Sequence, residues 1–179
     1  LVAIRGTNEA LYYWRKGSIG TIRGAVTSTF TTSGTHDAVS TEVGTTAPMS
    51  PQYLYGYFWF TDAFGKPWRF APGGALEPLW EQMNAAFGSL DEPGVATAMQ
   101  FTGADLALTM VAPYPGINGV VFAFSPYNTV YYTRLFVFAA GSGQLWGEID
   151  FDAVATEGIK LVASGAVVPA GEDINALSV

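Results

Sequence analysis

Three carboxylates at alternate positions, Glu148, Asp150 and Asp152 in the stretch GEIDFD, form the most concentrated acidic constellation of the chain. Alternate residues of a strand share a face, so these three would line one side, with Ile149 and Phe151 on the other. Such a row could hold Ca²⁺ through oxygen ligands, or Glu148 and Asp150 could act as the acid and base of a sugar hydrolase. Calcium sites usually draw their ligands from a loop, however, and a glycosidase needs its carboxylates facing each other across a cleft. A plain solvated strand face is therefore expected.

The single histidine, His36, is followed at once by Asp37. Neighbouring residues rarely place a carboxylate on the imidazole, and nothing marks out the rigid serine that a nucleophilic triad requires. The stretch AAGSGQ at 139–144 lacks both the lysine and the following helix of a phosphate-cradling loop. These readings predict no catalytic, cofactor-binding or metal residue, hence no cofactor and no enzyme activity. With no cysteine, disulfides and thiolate metal sites are excluded.

The chain has 179 residues, enough for one domain with a substantial core and short for two. Apolar residues make up 49% and charged residues only 13%, about half the usual share of charge. So few charges cannot comfortably cover a monomer, which favours an assembly in which protein contacts replace solvent. No stretch approaches the ~18 uninterrupted apolar residues of a membrane-spanning helix. The net charge of −7 is unevenly spread: residues 1–69 carry six basic and four acidic side chains, residues 70–179 two and eleven. Nucleic-acid affinity rests on neutralising phosphates, so direct contact with a polyanion is expected only near the N-terminal end.

The elements read as mostly strands. Residues 18–30 alternate with Ile22, Val26 and Phe30 on one face, and 31–51 read as a surface connection with a short strand at 38–43. QYLYGYFWF at 52–60 reads as one strand, buried or at an interface, with Trp59 in it. One helix is expected over 76–87, where Leu76, Leu79, Trp80, Met83 and Phe87 fall at helical spacing and Pro78 suits a first turn. Further strands are expected at 95–101, 105–112, 119–125, 130–139, 145–151 and 158–168. Many short strands without βα alternation predict an all-β antiparallel sandwich.

Four of the eight basic residues lie in the first 23 positions, and two of them, Arg15 and Lys16, directly follow Tyr12-Tyr13-Trp14. The stretch LYYWRKGSIGTIRGAV resembles the segment of picornavirus-like capsid proteins in which an aromatic, Trp-Arg-Gly-Ser corner enters the third strand of a jelly roll. DLALTMVAPYPG at 105–116, YYTRLFVFAAGSG at 131–143 and EGIKLVASGAVVP at 157–169 resemble later strands of that family in matching order. Lys16 departs from the pattern, standing between Arg15 and Gly17, and the family's acidic-aromatic late loop is missing. The resemblance implies a single jelly-roll domain over 1–179 with its N-terminal strand or arm missing or very short. It also implies a structural subunit packed laterally with sister capsid proteins in an icosahedral virion, with indirect contact to the RNA genome. Trp14 would anchor the corner while Arg15 and Lys16 turn outward, and Trp59 and Trp80 would serve core or interface. The alternative is a carbohydrate-binding sandwich that uses Tyr55, Tyr57 and Trp59 as a stacking face.

Overall fold

A computed structural model of the chain describes residues 1–24, 35–82, 106–124, 134–150, 159–161 and 167–169. They form antiparallel sheets with almost no helix, an all-β arrangement as the sequence predicts. The first sheet contains β1 (Ala3–Gly6), β2 (Ala10–Arg15), β3 (Ser18–Arg23) and β4 (Thr35–Ser40), paired in chain order. In β2 the period-2 pattern is plain. Ala10, Tyr12 and Trp14 are buried, whereas Leu11 and Arg15 face out and Tyr13 is half-buried. Lys16 and Gly17 make a two-residue turn that sets Trp14 opposite Ile19 and Arg15 opposite Ser18. The stretch expected to be a corner entering a strand is thus a tight hairpin.

The second sheet is β5 (Gln52–Leu54), β6 (Tyr57–Thr61), β7 (Pro67–Phe70) and β8 (Glu77–Pro78). The aromatic run at 52–60 is two strands rather than one. Tyr55 and Gly56 both have positive φ, 53° and 83°, the backbone that a two-residue hairpin turn of the primed kind demands. The helix expected over 76–87 is corrected at its start. Glu77 and Pro78 pair with Arg69 and Trp68 as an edge strand, and helical backbone begins only at residue 80. Proline fits there because an edge strand needs no inward N–H on its open side. The remainder of that segment, from Met83 on, lies outside the described residues.

The third sheet is β9 (Met110–Tyr114), β10 (Gly119–Phe124), β11 (Arg134–Ala139) and β12 (Leu145–Asp150). A 3-10 turn at Pro115–Ile117 joins β9 to β10, closed by Asn118 in the left-handed region at φ 51°. The strand expected at 105–112 starts later, because residues 106 and 107 are helical. The expected strand at 158–168 resolves into the two arms of a hairpin, β13 (Ile159–Leu161) and β14 (Val167–Pro169). Positions 24–34 beyond Gly24 and the expected strand at 95–101 lie outside the described residues.

Packing explains the layers. The second sheet lies between the other two, and its central strands β6 and β7 are largely buried on both faces. Phe58, Phe60 and Phe70 meet Tyr12, Trp14 and Ile19 of the first sheet, while Trp59 meets Val120, Phe122, Phe136 and Phe138 of the third. This is why β6 reads as a continuous apolar run instead of an alternation. Strand β10 is buried throughout, its second face joining Leu135 and Val137 in a further cluster. Stacking three layers hides much of the apolar composition inside the chain. The three four-stranded sheets run in chain order, β1-β2-β3-β4, β5-β6-β7-β8 and β12-β11-β10-β9. A jelly roll interleaves strands distant in sequence, and the described pairings do not contain that winding.

Candidate functional site

Trp14 is fully buried, with ring centroids 5.4, 6.1 and 6.3 Å from those of Phe58, Phe60 and Phe70. Arg15 and Lys16, the next two residues, are exposed. The hairpin tip they form is backed by Gly44. The Thr45 amide donates to the Arg15 carbonyl at 2.8 Å, and a Cβ on Gly44 would collide with that carbonyl oxygen. The backbone around the two cations is therefore fixed from behind. Neither Arg15 nor Lys16 has an ion pair among the described residues.

The outward residues of β1, β2, β3 and β4 converge on an open groove of about 460 Å³, lined by Leu1, Ile4, Leu11, Tyr13, Arg15, Ile22 and His36. Ile4 and Leu11 are 50 and 39% exposed, a cost in solvent that contiguous apolar side chains impose and that binding surfaces commonly relieve. Tyr13 crosses Gly20, its partner in β3, leaving no room for a Cβ there. Its ring stacks on His36 at 5.5 Å and 17°, its hydroxyl touches His36 Nε2, and the Arg15 guanidinium stands 5.6 Å from its centroid. His36 thus has a tyrosine partner, and among the described residues neither a serine nor a carboxylate joins it.

The fourth N-terminal cation has a different role. Arg5 donates to the carbonyls of Pro51 at 2.6 Å, Pro48 at 3.0 Å and Ile4 at 2.8 Å, and burial lowers its pKa from the usual guanidinium value. It pins the 48–51 loop against the first sheet. The four early basic residues therefore divide into one loop anchor and three exposed charges, Arg15, Lys16 and Arg23.

The aromatic face Tyr55, Tyr57 and Trp59 does not form a stacking platform. Trp59 is fully buried, donates Nε1–H to the Leu54 carbonyl at 3.0 Å and packs 6.3 Å from Phe122. Tyr57 is half-buried beneath Arg69, and Tyr55 is exposed in the hairpin turn. Trp80, expected to close the core with a helical stripe, is half-buried at the chain's surface. Lys66 Nζ lies 4.4 Å over its ring and Trp68 is 6.5 Å away, while neighbouring Leu79 enters the core.

Glu148 and Asp150 lie on β12, opposite Phe136 and Arg134 of β11; their side chains, and Asp152, lie outside the described residues. Among the described residues no three acidic or histidine side chains cluster as metal ligands would. No helix among them is long and apolar enough to cross a membrane.

Sequence reasoning missed a buried cation. Arg69 on β7 is 6% exposed. Its Nε donates to Glu77 Oε2 at 2.7 Å, Nη1 to Gly141 O at 3.1 Å, and Nη2 to Ser142 O at 2.9 Å. The guanidinium lies 4.4 Å from the Tyr57 ring centroid and 5.3 Å from that of Trp59. Gln82 completes the hold, donating to Gly143 O at 2.9 Å and accepting from the Leu145 amide at 2.8 Å. The loop AAGSGQ is therefore a carbonyl cradle for an arginine of its own chain. The only trace in sequence is an arginine between Trp68 and Phe70 in an otherwise buried strand. Compared with family models and with curated proteins, the chain matches none of them.

Proposed function

We propose that the chain is a structural subunit of a picorna-like viral capsid, packed beside sister subunits in a shell that encloses an RNA genome. The observation that carries this reading is the first sheet. Its inner face is anchored by Trp14, and its outer face leaves a contiguous apolar groove in solvent beside the cations Arg15 and Lys16. Assembly surfaces have this make-up, apolar at the centre with charge at the rim. The resemblance of the Trp14-Arg15 stretch to the capsid corner supports the same assignment. The strand order, which follows the chain, contributes nothing to it. Of the three residues of the carbohydrate-stacking alternative, Trp59 is fully buried.

The reading is tested by isolating the chain from the cells that produce it and identifying what accompanies it by mass spectrometry and nuclease digestion. A capsid subunit is recovered with RNA and with other capsid chains in fixed ratio. Recovery as a free protein without either would overturn the reading.

A further inference from the structure

We infer that the groove on the outer face of the first sheet is a self-association site, which takes a carboxylate-bearing aliphatic surface of a second copy of this chain. The inference rests on the assembly reading above and names the surface through which copies would meet. Three observations carry it.

The groove combines an aliphatic floor with a cationic end. Leu1, Ile4, Leu11 and Ile22 supply the floor, and Arg15 stands at the end beside the Tyr13–His36 pair. Such a surface recognises aliphatic side chains flanked by a carboxylate, because a guanidinium pairs with carboxylates through two parallel hydrogen bonds. Arg15 has no anion of its own among the described residues.

The chain itself carries the complementary charge. Residues 1–24 hold four basic side chains and one acidic, while residues 70–179 hold eleven acidic and two basic. Contact of the cationic first sheet with the acidic segment 70–179 of another copy would pair opposite charges, whereas contact between two such cationic sheets would oppose like charges. A contact between unlike patches is heterologous and can be repeated around a ring, as a shell requires.

The groove is also held in shape before binding. Gly44 packs behind the Arg15 carbonyl, and Tyr13 is seated on Gly20. Little conformational freedom would be lost by the first sheet on association, which favours affinity.

The test is sedimentation equilibrium of the full-length protein at several concentrations, with the variants Leu11→Ser, Ile4→Ser and Arg15→Glu. Leu11 and Ile4 are exposed, so the variants should fold, and circular dichroism with thermal melting verifies that they do. We expect concentration-dependent association, with the dissociation constant raised at least ~10-fold by Leu11→Ser and by Ile4→Ser, the size of a contact at the centre of an interface, and by Arg15→Glu through the like charges it sets against each other. Arg15→Lys should retain more affinity than Arg15→Glu. A strictly monomeric protein, or association that all three substitutions leave unchanged, would overturn the inference. If particles isolated from producing cells persist while these variants associate normally, the shell assignment stands and this surface is wrong. If the variants abolish association but no particle exists, the surface stands and the shell is wrong.

Discussion

Gly143 adopts φ 71°, and a Cβ there would stand 2.5 Å from the Arg69 Cζ, so the glycine and the buried guanidinium occupy one space by mutual fit. Gly143→Ala is thus unfavourable twice, through the left-handed backbone and through displacement of Arg69. A loss of about 2–3 kcal/mol is expected. Arg69→Ala takes the donor from the carbonyls of Gly141 and Ser142, while the Glu77 carboxylate, 48% exposed, turns to water, and a loss of about 2–3 kcal/mol is expected. Urea unfolding of the two single variants and the double variant measures this. Strong non-additivity is the expected result.

Trp14 is both an anchor and an imperfect one. Its Nε1 is buried without a hydrogen-bond partner among the described residues. Trp14→Ala should cost about 3–5 kcal/mol, in the range for truncating a buried aromatic. Trp14→Phe should cost clearly less, since it removes an unsatisfied donor along with part of the ring. Arg15→Ala, next in sequence but exposed, should change stability by less than about 0.5 kcal/mol. Chemical denaturation of the three variants orders them.

The turn between β6 and β7 is held by one carboxylate. Asp62 Oδ1 accepts from the amides of Phe64 at 2.7 Å and Lys66 at 3.0 Å, and Oδ2 accepts from Trp68 Nε1 at 3.1 Å. Asp62→Ala should lower stability by about 2–3 kcal/mol, the cost of stranding several donors to a charged acceptor. Phe64→Ser should be nearly neutral, because Phe64 is 80% exposed. Thermal melting of both variants separates the two roles.

Trp80 and Leu79 reverse the weights that helical spacing would give them. Leu79→Ala removes a side chain that is 2% exposed within the core and should cost about 2–4 kcal/mol. Trp80→Ala removes a half-buried ring covered by Lys66 and should cost below about 2 kcal/mol. A larger effect at Trp80 than at Leu79, measured by urea unfolding, would contradict this placement.

The local patterns were legible where a strand has one wet face. In β2 the sequence marks Trp14 as inward and Arg15 as outward, and the structure has them so, although the stretch reads as a corner and not as a strand. Legibility failed where both faces are buried. In β6 the run Phe58-Trp59-Phe60 conceals its period, and the turn signal at Tyr55-Gly56 was lost inside an aromatic stretch. Leu76, Leu79 and Trp80 match a helix by spacing, yet Glu77 and Pro78 are captured by the open edge of β7, a tertiary pairing that overrides local preference. The Arg69 cradle was illegible because its carbonyls come from a loop more than seventy residues away, and backbone acceptors leave no residue-type signature. The groove was half legible: the early cations stood out, but the aliphatic floor required the pairing of β1 through β4.

The central claim, that this chain builds a shell, is tested most directly by density-gradient sedimentation of extract from producing cells, with negative-stain electron microscopy of the fractions that contain the chain. A shell-forming chain sediments with closed particles of uniform diameter. A chain confined to the top of the gradient, in fractions with no particle, would contradict the claim.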